Sequence, residues 1–108
     1  MKKLKQPFKL IYDSEIIDHI VYIERKYHKL IRETIKEQLT YEPDTESLNR
    51  KPLVRPTESE AKWELRFGPD NRFRVFYETD PTNREVNILA IGVKMRNKLF
   101  IAGMEYNL

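Results

Sequence analysis

The chain contains no cysteine. Disulfides and thiol catalysis are therefore excluded, and a reducing cytoplasm is compatible with that absence. Histidine is nearly absent too: His19 and His28 are the whole supply. Both fall in a stretch with helical periodicity, so a histidine-based mechanism on the cationic strands described below is disfavoured. No apolar run approaches the ~20 residues that a membrane span requires. The first residues carry no signal-peptide core, repeats are missing, and no segment is of low complexity. Net charge is only +3, too small to argue for a nucleic-acid partner by itself. Its distribution says more, because most acidic residues lie in the first 60 positions while arginines gather in the strands that follow.

What the sequence does have is a charged hairpin at residues 63–77. Trp63, Leu65 and Phe67 alternate with Lys62, Glu64 and Arg66, and Phe73, Val75 and Tyr77 alternate with Arg72, Arg74 and Phe76. Between them Gly68, Pro69, Asp70 and Asn71 form a reversal. The register that keeps the faces clean sets Leu65 opposite Phe73 and Trp63 opposite Val75. It also sets Arg66 beside Arg72 and Glu64 beside Arg74. Like charges facing across a strand pair are destabilising, so this face suggests a site that expects an anion.

A charged fraction of 34% against 40% hydrophobic fits one folded domain over residues 1–108, with a single modest core. Residues 8–12 read as a first strand, and Asp13 or Ser14 offers an N-cap. Ile16, Ile20, Ile23 and Tyr27, then Leu30, Ile31, Ile35 and Leu39, recur at helical spacing. An unbroken helix over residues 14–41 would reach roughly 40 Å, too long for so small a domain. A break at residues 25–29 is therefore expected, giving an antiparallel helical hairpin. Glu42-Pro43 ends its second arm. Residues 43–61 read as a long loop, functional or mobile. Residues 80–84 form a second turn. Residues 86–91 are almost continuously apolar, as in a central strand. Residues 92–98 leave the sheet as a basic loop carrying Lys94, Arg96 and Lys98, and residues 99–108 close as a short strand or turn. The expected fold class is α+β: an N-terminal strand, an α-helical hairpin, then an antiparallel β-meander with the helices packed on one sheet face.

Tyr41-Glu42-Pro43, Asn49-Arg50-Lys51-Pro52-Leu53, Trp63-Glu64-Leu65-Arg66, Arg72-Phe73-Arg74-Val75-Phe76-Tyr77 and Ile91-Gly92-Val93-Lys94, in that order, resemble the RelE/ParE toxin superfamily. The resemblance is nearest to the RelE/HigB-like branch of type II toxin–antitoxin toxins, and it covers nearly the whole chain. It implies a cytoplasmic endoribonuclease that cuts messenger RNA on the ribosome without metal or cofactor and is held by a cognate antitoxin. It assigns catalytic positions to Arg74, at the scissile phosphate, and to Arg66, Lys62 and Lys94. Arg72, Arg96, Lys98, Arg50 and Lys51 become the RNA-binding set. The family's C-terminal tyrosine has no clean match; Phe100 stands near its place and Tyr106 stands later. ParE-like relatives, which bind DNA gyrase and do no chemistry, supply the alternative.

The residues themselves leave the roles open. RNA self-cleavage requires a deprotonated 2′-hydroxyl, a stabilised phosphorane and a protonated leaving oxygen. Arginine suits the second task because it stays charged and grips phosphate bidentately. Lysine is a base only where like charge or burial depresses its pKa. Against this, Arg74 could simply pair with Glu64 as an ion pair, and the run at residues 49–51 could be a solvated loop. Tyr77 is expected to point to the core with Val75.

Overall fold

A computed structural model describes residues 6–107. In chain order the elements are β1 (Lys9–Tyr12), α1 (Ile16–Val21), a 3₁₀ turn (Arg25–Tyr27), α2 (His28–Leu39), β2 (Arg50–Pro52) and β3 (Trp63–Phe67), a second 3₁₀ turn (Pro69–Asn71), then β4 (Phe73–Asp80), β5 (Glu85–Met95), β6 (Lys98–Ile101) and β7 (Met104–Tyr106). The architecture is α+β. Its sheet runs β2-β3-β4-β5-β6-β7, every neighbour antiparallel. The N-terminal strand is an addition that a simple meander lacks: β1 lies parallel to the first half of β5, Lys9 beside Glu85 through Tyr12 beside Ile88.

The apolar run at residues 86–91 does lie in a central strand, because β5 is paired on both edges. Its outer edge passes from β1 to β6, and Ile91 falls between them. There the buried His19 accepts the Ile91 N–H through Nδ1 at 3.2 Å, so the backbone donor is satisfied inside the protein.

The helical region departs from the expected hairpin. Three helical pieces replace two arms, and the break comes earlier, where Glu24 takes an extended conformation. His28 Nε2 donates to the freed Ile23 carbonyl at 2.8 Å, which supplies the partner that helix continuation would have provided. Just ahead of α1 Asp13 accepts the Glu15 N–H through its carboxylate, whereas Glu15, at the cap position itself, has no side-chain cap bond, and among the described residues Ser14 supplies none either. Ile16, Ile23, Ile31, Ile35 and Leu39 are buried in one core with Leu65, Phe73, Val75, Tyr77, Val86 and Ile88, so both helices cover the same sheet face. Tyr77 is fully buried there and donates its hydroxyl to the Pro43 carbonyl at 2.7 Å. Burial pushes that hydroxyl well above the usual tyrosine range, with Arg50 opposing the shift.

Three further corrections concern the sheet. The long loop contains a strand, since Arg50, Lys51 and Pro52 pair with Leu65, Glu64 and Trp63. The basic loop is sheet instead: β5 continues to Met95 and turns through Arg96 and Asn97, both at positive φ, into β6. This is the backbone of a two-residue hairpin turn. The 63–77 hairpin is displaced by two residues from the expected register, with Leu65 opposite Val75, Trp63 opposite Tyr77 and Arg66 opposite Arg74. A shift of two preserves every side chain's face, so alternation could not discriminate between the registers. The connection widens to residues 68–72 and coils through a 3₁₀ piece, so Phe73 pairs with Phe67. The chain's end forms two strands, β6 and β7, with Leu108 outside the described residues.

Candidate nucleic-acid interface

The face of the sheet opposite the helices is divided. At one end Ala61, Phe76, Ala90 and Leu99 form a second, smaller core, with Leu53 and Tyr106 packed against it. That face is therefore less basic than strand alternation alone implies. At the other end β3, β4 and β5 present Glu64, Arg66, Arg74 and Lys94.

Two guanidinium groups directly opposite one another, Arg66 and Arg74, would repel. Glu64 resolves this. It is 1% exposed, its carboxylate accepts from Arg66 Nε, and Arg74 Nη1 stands 3.4 Å from both of its oxygens. Arg74 is itself buried, and its Nε donates to the Asn71 carbonyl at 2.9 Å. The guanidinium is thus gripped from two sides, and the trio retains one net positive charge.

Beside it lies a pocket of about 250 Å³ lined by Glu64, Arg74, Lys94, Asn97, Lys98 and Tyr106, among others. A second depression of about 460 Å³ shares Arg74, Lys94 and Asn97 and adds Arg72, Arg96 and a single acid, Asp70. Lys94 and Arg96 form no ion pair among the described residues. Arg72 lies with its guanidinium 6.0 Å from the centre of the Tyr27 ring. The close packing that carries Lys94 to this place depends on Gly92. A side chain there would meet the Phe100 carbonyl and the Leu99 and Ile101 side chains at 2.9–3.0 Å.

Of the residues singled out from the sequence, Arg74, Lys94, Arg72, Arg96 and Lys98 come together around these two depressions, with Arg66 reaching them through Glu64. Lys98 is 3.9 Å from Glu105. Lys62 lines neither depression and pairs with Glu78 at 3.1 Å. Arg50 is committed inward: it donates to the Thr45 carbonyl, to the Gln38 carbonyl and to the Gln38 side chain, and stands 3.8 Å from Glu42. Lys51 pairs with Glu46 at 3.7 Å. Phe100 lies apart from both depressions, whereas Tyr106 lines the smaller one, its hydroxyl accepting the Glu58 N–H at 2.8 Å.

Sequence reasoning missed the organising part of Glu64, together with Asn97 and the placement of Tyr106. Only the register of β5, β6 and β7 shows the last, because it carries Lys94 beside Leu99 and Leu99 beside Tyr106. Chemically the arrangement gathers a fixed guanidinium, lysines and a phenol around a pocket whose acids, Glu64 and Glu105, are engaged with Arg66, Arg74 and Lys98. Both histidines are used elsewhere in the fold. Among the described residues no cluster of His, Asp or Glu is placed to hold a metal ion, and no helix is long and apolar enough to cross a membrane. Comparison of the chain with protein-family models, with curated proteins and with solved structures gave no match.

Proposed function

We propose that this chain is the toxin of a type II toxin–antitoxin pair, with a RelE-like arrangement of its sheet and helices, and that it cuts messenger RNA on the ribosome in the cytoplasm. The observation that carries the reading is the anchored Arg74, fixed by Glu64 and Asn71 at the edge of a pocket that also holds Lys94 and Tyr106. In this reading the RNA 2′-oxygen attacks the adjacent phosphorus, a 2′-O–P bond forms, and the P–O5′ bond breaks. The 2′-hydroxyl gives up its proton as it attacks and the leaving 5′-oxygen takes one up, so the products are a 2′,3′-cyclic phosphate and a free 5′-hydroxyl. Arg74 and Lys94 receive the charge that builds on the phosphoryl oxygens, where fixed donors act most strongly. Arg66 contributes through the shared Glu64. Arg72, Arg96 and Lys98 hold the flanking backbone. A small acidic antitoxin neutralises the same surface.

The test is induction of the protein in a bacterial host, with primer extension on abundant transcripts. Cuts inside codons are expected within minutes, with DNA supercoiling unchanged. Arg74→Ala, checked for folding by circular dichroism, is expected to lose on the order of 10²–10³ in cleavage rate and to permit growth. Accumulated cleaved gyrase–DNA complexes with intact transcripts would overturn the reading in favour of a ParE-like gyrase inhibitor.

A further inference from the structure

A groove on the helix-covered side of the sheet shares only Arg72 with the phosphate chemistry above. Helix α1 is only six residues long, and the chain turns away after Val21. The ends of β4, β5 and β6 are therefore left with an apolar floor that includes Phe73, Val93 and Phe100. The cavity measures about 320 Å³, and Tyr22 and Tyr27 are among its lining residues. Arg72 and Met95 line both this groove and the cationic depression, so the two adjoin across these side chains.

We infer that this groove is a nucleobase subsite, receiving one unstacked base of a single-stranded RNA whose phosphate lies on Arg72, Lys94 and Arg96. The inference rests on the proposed RNA-cleaving reading and deepens it by naming a second point of contact with the substrate. Three observations favour a base over a partner helix. The first is size: about 320 Å³ lies at the small end of ligand cavities and suits one planar group, whereas a docked helix requires a row of anchors. The second is Tyr22. It is 67% exposed, yet its ring is pressed on Gly103, where a Cβ would come within 2.7 Å of it. An exposed aromatic ring held in place by backbone is a stacking platform. The third is charge. Among the described residues Arg72, Lys94 and Arg96 form no ion pair; Asp70 lines the cationic depression, and Glu24, which lines the groove, is paired with Lys26 at 3.5 Å, so a phosphate–base unit satisfies both the cations and the apolar floor.

The experiment compares two labelled RNA pentanucleotides by fluorescence anisotropy, identical except that one lacks its central base. The wild-type chain is expected to bind the complete RNA roughly tenfold more tightly than the abasic one. Tyr22→Ala should bring the complete RNA down to the abasic affinity, and Tyr22→Trp should retain the difference. Equal binding of both RNAs by the wild type would overturn the base subsite and leave the cationic surface standing. Binding of neither would overturn the RNA reading and the subsite together. A preference that survives Tyr22→Ala would place the base elsewhere and defeat the inference. Loss of an acidic amphipathic peptide in Tyr22→Ala, with both RNA affinities unchanged, would make the groove a protein-docking surface instead.

Discussion

At Glu64 the usual account of a charged strand face is inverted. A carboxylate with 1% of its surface exposed has lost nearly all its water, a cost that only close counter-charges can offset. Arg66 and Arg74 provide them, and the same contacts hold the Arg74 guanidinium at the pocket that Glu64 also lines. Glu64→Gln would leave two like charges facing each other across β3 and β4. Breaking a buried pair costs about 3–5 kcal/mol, and the low end is expected because the Arg66 side chain is 41% exposed. Added phosphate should then stabilise the variant more than the wild type, by taking the place of the missing carboxylate between the arginines. Urea unfolding with and without phosphate measures both effects. A variant as stable as the wild type would show that Glu64 does not organise the site. The ion pair between Glu64 and Arg74 was legible as one of two readings of the sequence. That burial would make the acid the organiser was not, because strand alternation gives the face of a residue and not what covers it.

Among the elements, β2 shows where pattern reading stops. Arg50-Lys51-Pro52 has no β-branched residue and no apolar alternation, and it contains a proline. It is nevertheless an edge strand, where proline is tolerated because one side needs no donor. Tertiary anchoring by Arg50, which ties the segment to Gln38, Glu42 and Thr45, accomplishes what propensity does not. The strands with strong alternation, β3 and β4, and the apolar centre of β5 were legible in kind. Their register and the length of β5 were not, since both depend on turn geometry at residues 68–72 and 96–97. The early end of α1 was hidden too, because no Gly or Pro marks it and the Ile23 carbonyl it frees finds its partner in the His28 side chain. Arg50→Ala should release β2 without unfolding the centre of the sheet, at a cost of about 2 kcal/mol. Hydrogen exchange checks this. The Leu53 and Arg66 amides, bonded to Lys62 and Asn49 across this edge, should exchange faster, while amides between β4 and β5 keep their protection. Unchanged exchange at Leu53 and Arg66 would mean that pairing with β3 alone holds the strand.

For the molecule as a whole, a net charge of +3 understates the field that RNA would meet. Lys51, Lys62 and Arg50 are each matched by an acid of the chain, whereas among the described residues Lys94 and Arg96 stand without one around a shared depression. Counterion release gives this contrast a measurable form. Each phosphate neutralised on a single strand adds about −0.7 to the slope of log affinity against log salt. On the proposed RNA-binding reading, the unmatched cations should govern affinity, whatever their likeness to catalytic positions. Arg96→Ala should make the slope shallower by about 0.7. Lys62→Ala should leave the slope unchanged, because Glu78 already holds that ammonium at 3.1 Å. Titrations of a short single-stranded RNA across a potassium chloride series, on both variants and the wild type, decide the matter. If Lys62→Ala flattens the slope as much as Arg96→Ala does, the Glu78 pair opens on binding. Lys62 would then belong with Arg74 and Lys94 at the phosphate, in the position that the sequence resemblance implies.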